Sequence, residues 1–523
     1  MRDICLVFPR DPSGHALTST LADGESLGVG YIASSLRSAG YSVKIINAEV
    51  FNIQNEELLS KILEIHPKMV GFSPVAVNMT STLQICNEIK MKNKDIHITL
   101  GGHHATFAAR DILMNELSVD SIVIEDGGKT IIELAQAIFA NSQHLQMIKG
   151  IAFRVKNQVI ITEERQTEKI DTVPFPARDT LEEIISKTGN REARLLTSRG
   201  CSNHCVFCTT PSFYKSGWEG HSAKRVVEEI KGLIEKYQIS HFWITDDNFI
   251  IPTSESRDRV REIARLIIEN KFNITFRVLC RADSFGNDEQ LVGLLKEAGM
   301  TIVYIGFESG DPHTILQLGK QVSIEQNRKV VQLLNKYNIC VQTGFIMFTP
   351  YTTIEGLQNN ANFLTQVGEL YRFFPLTRPV DVFPGSKLLS QLGKDRLLSS
   401  DYSYKSDHID YSFKYPYIED IFFSISKCYD EEIIECDNRL LDLKIRRLPF
   451  VFQNRKENRD ILAFVTQEFQ KLNNINYLFF IELLKQKGIL GQTKLNKVNA
   501  ERKNKVKEIY NHLNSIPFLS EGR

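Results

Sequence analysis

The sequence predicts an α/β protein: an open, doubly wound parallel-sheet domain, then a partial (β/α) barrel, then a mainly helical region. Three observations carry this. Short, continuous apolar runs alternate with amphipathic segments from the start to about residue 140, the pattern of parallel strands covered on both faces. The alternation breaks between about 150 and 190, then resumes with six apolar runs to about 385. Beyond about 390 the apolar residues recur only at helical spacing.

In the first part the strands are "DICLVFP", "SVKIIN", "MVGFSP", "HITLGG" and "SIVIE". Between and after them lie the helices "GVGYIASSLRSAG", "NEELLSKILEIH", the segment around Ser81–Lys90, and "TIIELAQAIFA". Ligands of such domains sit at the carboxyl ends of strands. "GIAFRVKNQVIIT" reads as a β-hairpin turning at Lys156–Gln158, and "TVPFPARD" as a proline-bearing linker. The barrel strands are "ARLLTS", "HFWITDD", "ITFRVLCRAD", "TIVYIGFES", "CVQTGFIMF" and "RPVDVFP". Six such units fit a partial barrel better than an open sheet, with ligand residues at strand ends. "DEEIIECDNRLLDLKIRRL", "ENRDILAFVTQEFQKL" and "INYLFFIELLKQKG" are helical. The expected domains are residues 1–145, a hairpin and linker over 146–190, the barrel over 191–388 and a helical region over 389–523 that shapes a substrate site.

Lys+Arg and Asp+Glu both number 63 among 523 residues, so no global field attracts nucleic acid or an anionic membrane. The basic tail "KLNKVNAERKNKVKEIYNHL" reads as a solvated helix face, since acids flank it and no stacking aromatics interleave. No apolar run approaches the roughly 18 residues of a membrane span. "MRDICLVFPRD" is too short in its apolar part for a signal peptide and reads as a strand. A cytoplasmic location is therefore expected. No internal repeat is visible.

Nine cysteines, an odd number, do not suggest a disulfide framework. Three of them, Cys201, Cys205 and Cys208, fall in "SRGCSNHCVFCTTP". Such a cluster could be a zinc ligand set, a disulfide knot or an iron–sulfur nest. Structural zinc sites usually take four ligands in two halves, and no second cysteine pair stands at a matching distance. His204 inside the cluster reads as a loop residue. A cubane cluster normally takes four thiolates, so three leave one iron open to chemistry.

This spacing, with Phe207 before the last cysteine and the loop directly after the first barrel strand, resembles the radical S-adenosylmethionine (SAM) enzymes. The resemblance implies a 4Fe-4S cluster on Cys201, Cys205 and Cys208, whose open iron chelates SAM. It also implies SAM contacts from Asp246 and Asp247 in "WITDDNF", Arg281 in "CRADSF", and Glu308 and Ser309 in "GFESGD". An Arg fork suits a carboxylate, and carboxylates suit an ammonium. "TGFIMFTP" matches the adenine-packing segment, with Phe348-Thr349-Pro350 replacing the frequent G-x-P, and "VFPGSKLL" resembles the sixth-strand ending.

"ESLGVGYIASSLRSAGYSVKIIN" and "ITLGGHHAT" resemble the Rossmann-like cobalamin-binding domain fused to many such enzymes. Gly28, Gly30, Gly101 and Gly102 would allow close backbone approach of a large flat ligand. "IEDGGKT" resembles the common G-E-G-E turn loosely. The usual D-x-H-x-x-G is absent, because Asp11 and His15 stand four apart, so cobalamin is expected without that histidine ligand. His103 and His104 are candidates to touch the corrin or its tail. Cys5, Cys280 and Cys340 read as small core residues, Met347 as barrel core rather than a cobalt or iron ligand, and Cys428 and Cys436 as packing residues able to share a helix face.

The family likeness implies methylation of an unactivated carbon of a small molecule or natural-product precursor. Cob(I)alamin would take a methyl from one SAM to give methylcobalamin, and a 5'-deoxyadenosyl radical from a second SAM would open the substrate C–H bond. Expected partners are the substrate and an external electron donor such as flavodoxin or ferredoxin. Two other activities fit: a rearrangement, ring contraction or cyclisation on the same cofactors, and a catalytically dead cobalamin sensor or carrier. A methylthiotransferase fits less well, with no second cysteine trio upstream.

Overall fold

The computed structural model describes residues 3–12, 24–142, 144–215, 217–399, 402–448, 459–486 and 492–516. Its first sheet has seven strands: β1 (Ile4–Phe8), β2 (Val43–Asn47), β3 (Met69–Phe72), β4 (His97–Leu100), β5 (Ser121–Val123), β6 (Ile151–Val155) and β7 (Gln158–Ile161). Their order is β2-β1-β3-β4-β5-β6-β7. The first five are parallel; β6 and β7 pair antiparallel. β1 is buried throughout, as a central parallel strand must be. Helices α1 (Leu27–Ser38), α2 (Asn55–Ile65), α3 (Met79–Lys92), α4 (His103–Phe107), α5 (Ala109–Asn115) and α6 (Gly128–Phe139) alternate with these strands. Separate apolar clusters fill the two faces, Val7, Val70 and Ile98 on one, Ile4, Leu6 and Met69 on the other. The chain order reverses between β1 and β3, which opens a crevice at their carboxyl ends.

The hairpin expected within the linker segment instead extends this sheet. β6 pairs with β5 along Ser121–Val123, and the turn is two residues, Lys156 and Asn157, with Lys156 at φ 53°. The linker that follows, with a helix α7 (Asp179–Thr188), is anchored by Arg178, whose guanidinium bonds Glu25 and Glu229 at 2.5 and 2.6 Å.

The second sheet is wholly parallel: β8 (Glu192–Leu195), β9 (His241–Ile244), β10 (Thr275–Arg281), β11 (Met300–Glu308) and β12 (Cys340–Phe345), in the order β12-β11-β10-β9-β8. Between the strands run α8 (Ala223–Tyr237), α9 (Ser254–Glu269), α10 (Glu289–Glu297), α11 (Pro312–Gln317) and α12 (Ile324–Lys336), with α13 (Ile354–Gln366) after β12. Ser222, Thr253, Asp288, Ser323 and Thr353 each accept a backbone N–H at the start of one of these helices. The sixth expected strand, "RPVDVFP", is reduced to a single parallel bridge, Phe348 to Pro379. Pro379 has no N–H to extend a ladder.

Past α14 (Lys387–Asp395) come α15 (Pro416–Lys427), α16 (Glu431–Asp442), α17 (Arg459–Lys485) and α18 (Gln492–Asn514). The two expected central helices form one element, α17. Ile418, Ile421, Ile425, Phe480 and Leu483 belong to the same apolar cluster as the barrel core, so these helices are built onto it. The basic tail is not simply solvated: Arg502 is buried and bonds Asn476, Asn499 and the Cys428 carbonyl. Cys428 follows α15 while Cys436 lies within α16, and they bury into different clusters, so they share no helix face. Among the described residues no helix is long and apolar enough to cross a membrane.

Candidate active site

The cysteine loop opens with Cys201, six residues past the end of β8, and is tied at both ends by one acid pair. Asp246 accepts from the Thr197 N–H, the Thr197 hydroxyl and the Ser198 hydroxyl, each at 2.6 Å. Asp247 accepts from Gly200 N–H at 3.1 Å and the Thr210 hydroxyl at 3.0 Å, one residue before Cys201 and two after Cys208. Burial pushes both carboxyls up, against the pull of these donors. Their side chains are thus engaged in bracing the loop. Thr197, Ser198 and Thr210, the other halves of the brace, carry no sequence signal beyond being small and polar. Mid-loop, Val206 donates to Leu318 O and accepts from Leu388 N, at 3.0 and 2.8 Å.

Cys201, Cys205 and Cys208 are free, partly accessible thiols. His204 is exposed. Burial pushes the Cys208 thiol up to about 11, opposed by hydrogen bonds from Thr210. Cys205 is also raised by burial, with Lys320 and Arg281 pulling the other way. Arg281 reaches Cys205 Sγ at 3.8 Å and forks onto Asp283 at 2.9 and 3.0 Å. Glu308, at φ 65°, takes Lys320 Nζ at 2.8 Å. Lys320, a lone lysine after α11, was not legible as a site residue. Among the described residues no three His, Cys, Asp or Glu groups converge on one ion position. A cubane asks for no such convergence, because each thiolate binds its own iron. Three thiols on one braced loop, with two cations beside the middle one, fit a 4Fe-4S cluster that lacks a fourth protein ligand.

Ser309 is placed differently from the expectation. Its buried hydroxyl donates to Asn360 Oδ1 at 2.7 Å and accepts from Asp311 N at 3.0 Å, which fixes the end of β11 rather than facing a ligand.

Between the two sheets lies a cavity of about 620 Å³. The first domain contributes Phe8, Ser73, Gly101, Gly102 and Gly127 at strand ends, with Gly28 and Tyr31 from α1. The barrel contributes Trp243, Thr245, Asp246, Asp247 and Leu279. A Cβ added at Gly28 would meet nothing within 4 Å, and one at Gly101 would first meet Val123 at 3.9 Å. Gly102 adopts φ +90°, which favours glycine. Gly30 turns the other way: a Cβ there would stand 2.8 Å from Ala177 O, so it packs on the linker and does not reach the cavity. The hydroxyls of Tyr31 and Thr99, both in the cavity wall, are buried and have no hydrogen-bond partner. A small-residue cradle with two spare hydroxyls fits the flat ring and polar tail of cobalamin.

His103 lies in the wall, its ring stacked on Phe213 at 3.8 Å, and its pKa is pushed down to about 4 by burial. His104 is turned away and bonds the Tyr404 carbonyl at 2.8 Å. His15 falls outside the described residues. Asp126 of "IEDGG" pairs with Arg199 at 3.1 Å, linking the first domain to the start of the cysteine loop.

Residues 16–135 match the B12 binding domain family and residues 195–364 the Radical SAM superfamily. The chain is a cobalamin-dependent radical SAM enzyme. Its cofactors are a 4Fe-4S cluster, SAM and cobalamin. This radical SAM chain is 26% identical over 388 residues to an uncharacterized methyltransferase of Pyrococcus horikoshii, covering 74% of this chain and 82% of the relative. It is 27% identical to the anaerobic magnesium-protoporphyrin IX monomethyl ester cyclase of Rubrivivax gelatinosus, covering 63% of this chain and 60% of the cyclase. Its fold resembles that of the cobalamin-dependent SAM radical enzyme OxsB with aqua-cobalamin bound. The TM-score is 0.71 at 18% identity, over 98% of this chain and 84% of OxsB.

Proposed function

We propose that the enzyme methylates an unactivated carbon of a small molecule. The observation that carries this is the shared wall: Asp246 and Asp247 brace the cysteine loop and also line the cavity suited to cobalamin. When bound, the cluster and SAM supply a hydrogen-abstracting radical, and cobalamin supplies a methyl carrier. The protein's own residues do the positioning. Asp247 holds both ends of the loop, while Asp246 ties it to β8 through Thr197. Arg281 keeps its guanidinium beside Cys205 and is the group suited to a SAM carboxylate; Glu308 is the acid held at the neighbouring strand end. Phe213, Tyr214 and His103 pack their rings together into one apolar wall of the cavity, the kind of wall that shields reactive species from water and reductant.

Anaerobic turnover with candidate substrates and an external reductant tests the reading. Methyl transfer yields 5'-deoxyadenosine and S-adenosylhomocysteine together, with a product heavier by one CH2. Deoxyadenosine without S-adenosylhomocysteine, and a product with no added carbon, would instead establish a cyclisation or rearrangement, the reading favoured by the cyclase of Rubrivivax gelatinosus. A protein that holds its cluster and cobalamin yet never cleaves SAM would be a sensor or carrier.

A further inference from the structure

Arg372 follows α13, next to Tyr371, which packs with Ile302 of β11 and Cys340 of β12. It is 7% exposed, and its Nε is sealed from solvent with no hydrogen-bond partner. The acids nearest it are engaged elsewhere. Asp437 accepts from the N–H groups of Phe373 and Phe374 at 3.0 and 2.6 Å, and Glu369 bonds Lys444. The charges of Asp437 and Glu369 still favour the guanidinium, but a sealed Nε–H without an acceptor is costly unless something supplies one.

A second cation and an aromatic ring stand beside it. Arg372 and Arg378 stand 5.6 and 5.0 Å from the ring of Phe374, which is only half-buried. Arg378 is tied to Asp381 at 2.9 Å, and its carbonyl accepts from Met347 and Phe348 just past β12. Burial and the Glu308 charge push the Tyr304 phenol up, and the charges of Arg378 and Arg372 pull it down. Tyr304 shares the inward face of β11 with Glu308, four residues on and so roughly 13 Å along the strand. Gly344 leaves room for the phenol: a Cβ there would lie 2.6 Å from the Tyr304 hydroxyl. Arg372 lies toward the start of β11 and β12, since its neighbour Tyr371 clusters with Ile302 and Cys340, whereas Arg378 is anchored just past the end of β12.

We propose that Arg372, with Arg378, binds an oxyanion of the substrate, a carboxylate or a phosphoryl group, with the body of the substrate against Phe374 and its reacting carbon directed up the barrel. Arg matches both oxyanions through its planar fork. The proposal rests on the reading above that the enzyme acts on a small molecule, here taken to enter the barrel.

The test uses the full chain reconstituted with cluster and cobalamin, with benzoate, phenylphosphonate and the neutral benzamide as probes in ligand-observed NMR. Saturable binding of benzoate or phenylphosphonate but not benzamide is expected, and which of the two binds more tightly identifies the oxyanion. Arg372→Met should weaken that binding about tenfold or more, with Arg372→Lys retaining part of it. Equal binding of all three probes, no anion binding, or anion binding untouched by Arg372→Met would overturn the proposal. Should Arg372→Met fail to fold, Arg378→Met and the wild-type contrast between anion and amide decide. Binding is read without turnover, so a failure here leaves methyl transfer standing, and the converse also holds.

Discussion

Asp247 shows how little of a site needs to touch a ligand. With one carboxylate it grips the backbone before Cys201 and the hydroxyl after Cys208. Hydrogen bonds to an ionised acceptor contribute about 1.5–3 kcal/mol each. Asp247→Ala should therefore lower iron retained per chain after anaerobic reconstitution, and slow 5'-deoxyadenosine formation, by about tenfold or more. Asp247→Asn, which keeps an acceptor oxygen, should recover part of both. His221 offers a second residue-scale test. It is 1% exposed, shares a hydrogen bond with Asp171 at 2.9 Å, and its Nε2 has no partner. Burial first, outweighing the pull of Asp171, pushes its pKa down to about 4. A depressed histidine gives stability that is present above its unfolded value near 6.5 and lost as pH falls toward 4. The loss should be on the order of 2–3 kcal/mol between pH 6.5 and 4 in denaturant titrations, and flatter in His221→Asn. The cysteine trio was readable because one short stretch carries the whole motif. The roles of Asp246 and Ser309 were not, since residue type and strand position do not say which way a buried polar group turns.

Along α1, Gly28 and Gly30 look equivalent in sequence, yet two positions on a helix are about 200° apart. One faces the cavity and the other the linker. Gly28→Leu should fold with unchanged helix content but bind hydroxocobalamin at least about tenfold more weakly, read from the bound corrin absorbance. Gly30→Ala should leave the cavity open and lower the melting temperature, because its Cβ meets Ala177 O. Periodicity revealed that both residues lie on a helix; only the packing of Pro176 and Ala177 settles the phase. The hairpin was legible as a hairpin, but its sheet was not, because strand pairing with β5 is a long-range choice. The run "RPVDVFP" has strand composition, and Pro379 caps it at one bridge.

At the scale of the whole molecule the chain returns from the helical region to clasp the first domain. Tyr404 donates to Glu116 at 2.6 Å and accepts from His104 Nε2 at 2.8 Å, and the Lys405 carbonyl accepts from the Thr80 hydroxyl at 2.9 Å. Tyr404→Ala should raise amide hydrogen exchange across residues 103–107 while exchange in β10 and β11 stays unchanged. No sequence pattern foretold this clasp, for it joins residues about 300 positions apart. The cavity between the sheets has a related consequence. Its walls belong to two domains, so any free energy released when the corrin settles also holds those domains together. Vitamin supply then governs more than turnover: a cell short of corrin would carry chains whose halves keep the clasp, the ion pairs and the His103–Phe213 stack but lack the corrin between them, and such chains are the ones proteases reach first.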